Sequence, residues 1–168
     1  MPGQEARLLF FHSAGERFSL EVDCVREIVP QQEVTPVPFV PATVSGIINH
    51  RGAIYTLISF ARLAGLGEDR AGTVVLLRLP DMAVALAVEG IEGIERIAGG
   101  LAPAPATAEG SLPPTAPFLR RARDAAGRPV LAVDAEQLAG TICRIPEQAR
   151  AGEGRQGPGH GGTPAATR

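Results

Sequence analysis

At 168 residues with 45% apolar side chains, the chain can bury a core as one globular unit or as two very small ones, which excludes disorder for most of its length. Every basic residue is arginine, and a formal net charge of -2 sets up no global field that would draw in nucleic acid. Only Cys24 and Cys143 are present, Met1 to Glu5 lack the basic stretch and apolar core of a secretory signal, and the apolar runs fall far short of the roughly 20 residues that span a bilayer, so a reducing cytoplasm is the expected compartment.

In chain order, Arg7 to His12 and Arg17 to Glu21 read as two strands joined by a tight turn at Ser13-Ala14-Gly15-Glu16. Val22 to Val29 fits either a helical turn or a strand, and the prolines at 36, 38 and 41 mark an extended loop. Gly46 to Ile58 is a pair of apolar strand-like runs with one arginine, Arg51, between them. An arginine cannot lose its charge, so its place amid apolar neighbours calls for a carboxylate partner or a binding role. Ser59 to Gly65 reads as a short helix, capped by Ser59 and stopped by Gly65. Thr73 to Leu79 and Met82 to Val88 form a second hairpin about Pro80-Asp81, and Ile91, Ile94 and Ile97 mark a further strand. Leu101 to Pro117 reads as a loop, after which Phe118-Leu119, Val130 to Val133 and a helix from Asp134 to Leu138 finish the fold. From about Thr141 the chain turns to Gly, Pro, Arg and Ala and is expected to be a flexible tail, with arginines at 144, 150, 155 and 168. Many short strands and no long helical period favour an all-β barrel or a pair of barrels.

Four segments, in this order and spacing, resemble the CheW family of chemotaxis adaptors: Phe18 to Ile28, Pro36 to Ile58 around Asn49-His50-Arg51-Gly52, Ala85 to Ile94, and Phe118-Leu119 followed by Gly127 to Leu138. The resemblance covers about residues 7 to 139. It implies two five-stranded SH3-like barrels packed side by side with a few short helices. Residues 1–140 would form the CheW-like domain, the first barrel at about 15–66, the second at about 72–135 and the terminal segments crossing between them, with 141–168 as the tail. It further implies a non-enzymatic protein without cofactor or metal, which links chemoreceptor cytoplasmic tips to a CheA-type histidine kinase and is recruited from the cytoplasm to membrane receptor arrays. A divergent scaffold in another pathway, such as pili, gliding or development, is the alternative.

On that resemblance, Arg51 matches the arginine of the family's Asn-Leu-Arg-Gly motif and Glu27 the glutamate of its Val-x-Glu-Ile motif, and an ion pair between them is the physical expectation. If desolvated, such a pair costs about 3 to 5 kcal/mol when one partner is removed, so Arg51 either binds a partner or braces the fold. Val25, Ile28, Val44 and Ile47, with Glu27 and Arg51, are expected at a receptor-binding groove between the barrels. Val37, Phe39 and Val40, on the proline-stiffened loop, are expected to meet the kinase. Core packing is the plainer role for the groove residues. His50 replaces a usual leucine, Thr56 a usual proline, Ser59-Phe60 the usual Asp-Leu, and Glu89 a usual aspartate. His50 reads as a solvent-facing strand histidine, or as a residue that alters partner choice or adds a proton-sensitive contact. An enzyme finds little support: His12, His50 and His160 lack metal-ligand spacing, and Cys24, a conceivable nucleophile with His50, sits in an apolar run.

Overall fold

The computed structural model describes residues 5–68, 70, 72–105, 112–113 and 116–145. The described residues form eleven strands: β1 (Glu5–Ser13), β2 (Glu16–Glu21), β3 (Val25–Pro30), β4 (Val44–His50), β5 (Ala53–Ser59), β6 (Thr73–Leu77), β7 (Val84–Val88), β8 (Gly90–Ala98), β9 (Ala102–Pro103), β10 (Leu119–Arg123) and β11 (Pro129–Val133). Two short helices, α1 (Phe60–Leu63) and α2 (Ala135–Cys143), follow β5 and β11. The ambiguous stretch after β2 is both things in turn, a 3-10 turn at Val22–Cys24 and then β3. Ser59 Oγ accepts from the Arg62 amide at 3.3 Å, and Asp134 Oδ1 accepts from the Gln137 amide at 3.0 Å, so each helix starts at a side-chain cap.

The strands form two sheets, ordered β8-β1-β2-β11-β10-β9 and β3-β6-β7-β5-β4. Each sheet is rolled, because side chains at its two ends meet. Glu27 of β3 touches His50 at the end of β4, although those strands lie at opposite edges of one sheet. Glu92 of β8 likewise reaches Arg128, in the turn between β10 and β11, at 3.7 Å. The architecture is that of two SH3-like barrels packed side by side.

The chain does not divide between the barrels near residue 70. Strands β6 and β7, which the sequence places in the second barrel, pair with β3 and β5 of the first, and β1 and β2 join β8 and β11 of the other sheet. One barrel is therefore a continuous insert from β3 to β7, and the other is built from the segments on either side of it. Two of the joining pairs, β5 with β7 and β2 with β11, are parallel, and nothing in a hairpin pattern announces them.

Alternation explains the long apolar runs. In β7, Ala85 and Ala87 line the interior of one barrel with Ile48, Tyr55, Leu57, Val74 and Leu76, while Val84, Leu86 and Val88 face the layer between barrels. In β1, Leu8 and Phe10 fill the other barrel with Ile97 and Val130, and Leu9 and Phe11 point to the same middle layer. A strand buried on both faces has no polar side to show. The middle layer holds four phenylalanines: Phe11 stacks on Phe18 at 5.3 Å, Phe60 meets both edge-on at 5.0 and 4.8 Å, and Phe118 lies 6.1 Å from Phe60. Burying each contributes about 1.5 to 3 kcal/mol, and together they lock the two barrels.

Helix α2 corrects the start of the expected tail. It continues to Cys143, and Ile142 and Ile145 are buried in the middle layer, because this end of the chain carries two large apolar groups at helical spacing. The remainder of the expected tail, 146–168, lies outside the described residues.

Candidate functional site

Strands β4 and β5 end in a two-residue loop: His50 pairs with Ala53, and Arg51 and Gly52 have φ of 51° and 84°. Positive φ at both positions is the geometry that matches the twist of a hairpin. Glycine adopts it freely, whereas arginine does so rarely, and Asn49 Oδ1 fixes the loop by accepting from the Gly52 amide at 2.9 Å. Arg51 thus projects from the tip of the hairpin, off the ends of both apolar strands.

Its side chain is 76% exposed. Arg51 Nη2 lies 3.1 Å from Glu27 Oε1, and Nη1 lies 3.5 Å from Oε2, so the two residues form an ion pair, but not the desolvated one expected from the apolar neighbours. An exposed pair is worth about 0 to 1 kcal/mol, and the larger penalty for a broken buried pair does not apply. His50 departs further from expectation. Its side chain is only 15% exposed, and Nε2 lies 3.2 Å from Glu27 Oε2, so it is the sheltered partner of that carboxylate and not a solvent-facing histidine. Beside them Arg26 donates to the Tyr55 hydroxyl at 3.0 Å, another link from β3 across to β5.

Val25, Ile28 and Val44 are half-buried against the middle layer, and Ile47 is half-buried on β4, where its backbone pairs with Thr35. Gly46 is required there: its φ is 143°, and a Cβ would collide with the Thr35 carbonyl oxygen. Phe39 and Val40 are brought together with Val44, and not with the Arg51 tip. They line an apolar cleft of about 650 Å³ whose other walls include Ile58, Met82, Val84, Ile142 and Ile145. Phe39 is 96% exposed at a φ of 59°, while Val37 is half-buried and does not line the cleft. The end of α2 joins this cleft although residues 141–145 read in sequence as the start of the tail, because Ile142 and Ile145 are isolated apolar groups beside a Gly/Pro/Arg-rich stretch.

A second charged cluster escaped the sequence altogether. Asp124, with its side chain 1% exposed, accepts from Arg17 Nη1 at 2.9 Å, from Arg128 Nε at 2.7 Å, and from the amides of Ala126 and Arg128. Glu92 accepts from Arg17 at 2.7 and 2.9 Å and lies 3.2 Å from His12. Arg17 also covers the Phe10 ring at 4.3 Å. Burial pushes the Asp124 carboxyl up, but the Arg128 amide and the two guanidinium groups outweigh it and hold the group below its usual range. The hydrogen bond from Arg17 lowers Glu92, and the Arg17 guanidinium is raised in return. The signal available was Asp124-Ala125-Ala126-Gly127, an aspartate three residues before a glycine between two strand runs, which is an Asx-turn pattern.

Burial raises the Cys24 thiol, with Glu21 and Asp23 adding to it, which disfavours the nucleophilic thiolate. Among the described residues no group of three or more His, Cys, Asp or Glu is placed to hold a metal ion. His160 lies outside the described residues.

A family model described as the CheW-like domain matches residues 7–143. A chemotaxis protein CheW of Thermotoga maritima is 27% identical over 96 residues, which is 56% of this chain and 64% of that protein. Its counterpart in Rhizobium meliloti is 30% identical over 90 residues, 52% of this chain and 58% of the relative. The matches thus span less than two thirds of these relatives' length. The crystal structure of the scaffolding protein TtCheW from Thermoanaerobacter tengcongensis, at 21% identity, superposes with a TM-score of 0.65 over 77% of this chain and 89% of that one, a likeness of fold.

Proposed function

The chain belongs to the CheW-like domain family, and from that premise we propose that it is a signalling adaptor that works by contact and without chemistry. It couples the cytoplasmic tip of a methyl-accepting chemoreceptor to the regulatory domain of a CheA-type histidine kinase, at receptor arrays on the inner face of the membrane. Recruitment by partners fits a chain in which, among the described residues, no helix is long and apolar enough to cross a membrane.

The observation that carries this reading is that one chain presents two different surface features, since the cleft beside Phe39 and Val40 is not lined by Arg51 or Glu27. The hairpin tip with Arg51, Glu27 and the half-buried Val25, Ile28 and Ile47 is one contact, assigned to the receptor. The rim of Phe39 and Val40 over the apolar cleft is the other, assigned with Val37 to the kinase. Phe39, 96% exposed beside Val40 at the edge of an apolar cleft, offers apolar surface that a partner can bury. Two such surfaces are what a coupler needs, since it must hold both partners at once. Val44 lines the cleft, so in this chain it belongs with the kinase contact.

Co-purification of the full chain with a kinase regulatory domain and with a receptor tip fragment from the same genome tests the reading. Capture of both is expected, and Phe39→Ser is expected to lose the kinase domain while leaving thermal stability unchanged. Capture of neither overturns the adaptor role. A second reading, a scaffold in a pathway other than chemotaxis, is favoured by His50 and Thr56, which stand where the resembled family has leucine and proline. The Thr56 amide donates to the Ala83 carbonyl at 2.9 Å, a bond proline has no N–H to make. Partners encoded beside the gene for this chain, pilus components or receptors, separate the two.

A further inference from the structure

Glu27 is held by two unequal partners. Arg51 is 76% exposed, at the tip of a hairpin, and reaches the carboxylate with one contact of 3.1 Å and one of 3.5 Å, the second at the limit of a hydrogen bond. His50 is 15% exposed, sits on the last residue of β4, and meets the same carboxylate at 3.2 Å. The His50 ring is thus the sheltered partner and the Arg51 guanidinium the solvent-exposed one. Facing a carboxylate, which only accepts, His50 Nε2 is the donor, a role open to the Nε2–H tautomer and to imidazolium alike.

We propose that His50 is a positioning residue for an acidic partner. By holding Glu27 from the sheltered side, it lets Arg51 leave that carboxylate and close on a carboxylate presented by the partner. Without His50 the same movement would strip Glu27, whose side chain is only 33% exposed, of both donors, so Arg51 would stay on its own glutamate. A planar guanidinium at a protruding tip suits two-point recognition of a carboxylate. Ile54, 51% exposed on the same hairpin, adds an apolar contact beside it. The partner segment is therefore expected to carry an aspartate or glutamate next to an apolar side chain. This rests on the adaptor reading and adds to it which group of the partner is read.

The test is a double-mutant cycle on the full chain, read twice. In thermal unfolding, Arg51→Ala is expected to lower the Tm by under about 1 °C when His50 is present and by about 3 °C in a His50→Leu background, because only then does Glu27 lose its last donor. In binding to the receptor tip fragment, Arg51→Ala is expected to weaken capture about 10-fold and His50→Leu about 5-fold, with the double variant no weaker than Arg51→Ala alone. His50→Gln, which keeps a donor, is expected to bind like the native chain. Additive Tm changes, or His50→Leu binding like the native chain, overturn the proposal. If the native chain binds neither receptor tip nor kinase domain, the adaptor reading falls, and the unfolding cycle alone still shows whether His50 stands in for Arg51 on Glu27.

Discussion

The two barrels close in the same way and with opposite exposure. In each, a carboxylate on an edge strand of the rolled sheet meets an arginine from a distant turn: Glu27 of β3 meets Arg51 in one, and Glu92 of β8 meets Arg128 in the other, where Arg17 of β2 and Asp124 of the β10–β11 turn complete the cluster. The Asp124 side chain is 1% exposed and has hydrogen bonds from two amides and two guanidinium groups, whereas the Glu27–Arg51 pair lies open at a hairpin tip. A charge cluster of the first kind cannot leave its place without stranding a charge in low dielectric, so it braces the fold. One of the second kind gives up little when a partner takes its arginine, so it is available for binding.

Asp124→Asn breaks this contrast from the buried side and has the largest expected effect. The amide keeps one acceptor but removes the charge that two guanidinium groups face, and one of its own N–H groups then points at a donor. A loss of about 3 kcal/mol or more is expected in urea unfolding, with the midpoint lowered and the slope unchanged. A variant within about 1 kcal/mol of the native chain would show the cluster to be decoration.

Acid sharpens the same point without mutation. Asp124 and Glu92 both titrate below their ordinary values in the folded chain. A depressed folded value means that the unfolded chain takes up the proton first, so the stability these groups give is in place above pH of about 4 and is lost as pH falls through the folded values. Unfolding free energy measured from pH 7 downward is expected to stay level to about pH 5 and then drop, and Asp124→Asn is expected to remove part of that drop. Parallel curves for the two proteins would assign the acid sensitivity to other carboxylates.

Where the sequence was legible, the reason was local. Ser13 to Glu16 announced a hairpin, Ser59 a helix cap, and apolar runs between turns announced strands, because each of these is decided within a few residues. The partition into barrels was not legible, since it depends on two parallel pairings between strands far apart in the chain, and an apolar run such as Val84 to Val88 fits any strand with two buried faces. Arg51 misled in its solvation for a related reason. A two-residue turn places its central residue outside the sheet however apolar its neighbours are, and Arg-Gly is a weak signature for that turn beside Asn-Gly or Asp-Gly. His50 was out of reach because strand alternation says which face a side chain takes, and only the rolling of the sheet brings β3 across to meet it.

The smallest expected effect is on the open side. Glu27→Gln makes the same acid-to-amide change as Asp124→Asn and keeps the length and one oxygen acceptor for His50 and Arg51. Because the pair is solvated, stability is expected to change by about 0.5 kcal/mol or less, an order of magnitude that thermal unfolding resolves against the Asp124 variant. Binding moves in a direction that stability does not report. Arg51 loses the charge that restrains it, so capture of an acidic receptor segment is expected to hold or strengthen, while a structural brace would lose stability and capture together. A Glu27→Gln chain that unfolds as easily as Asp124→Asn would erase the distinction between the two barrel mouths, and with it the reason for assigning one of them to a partner.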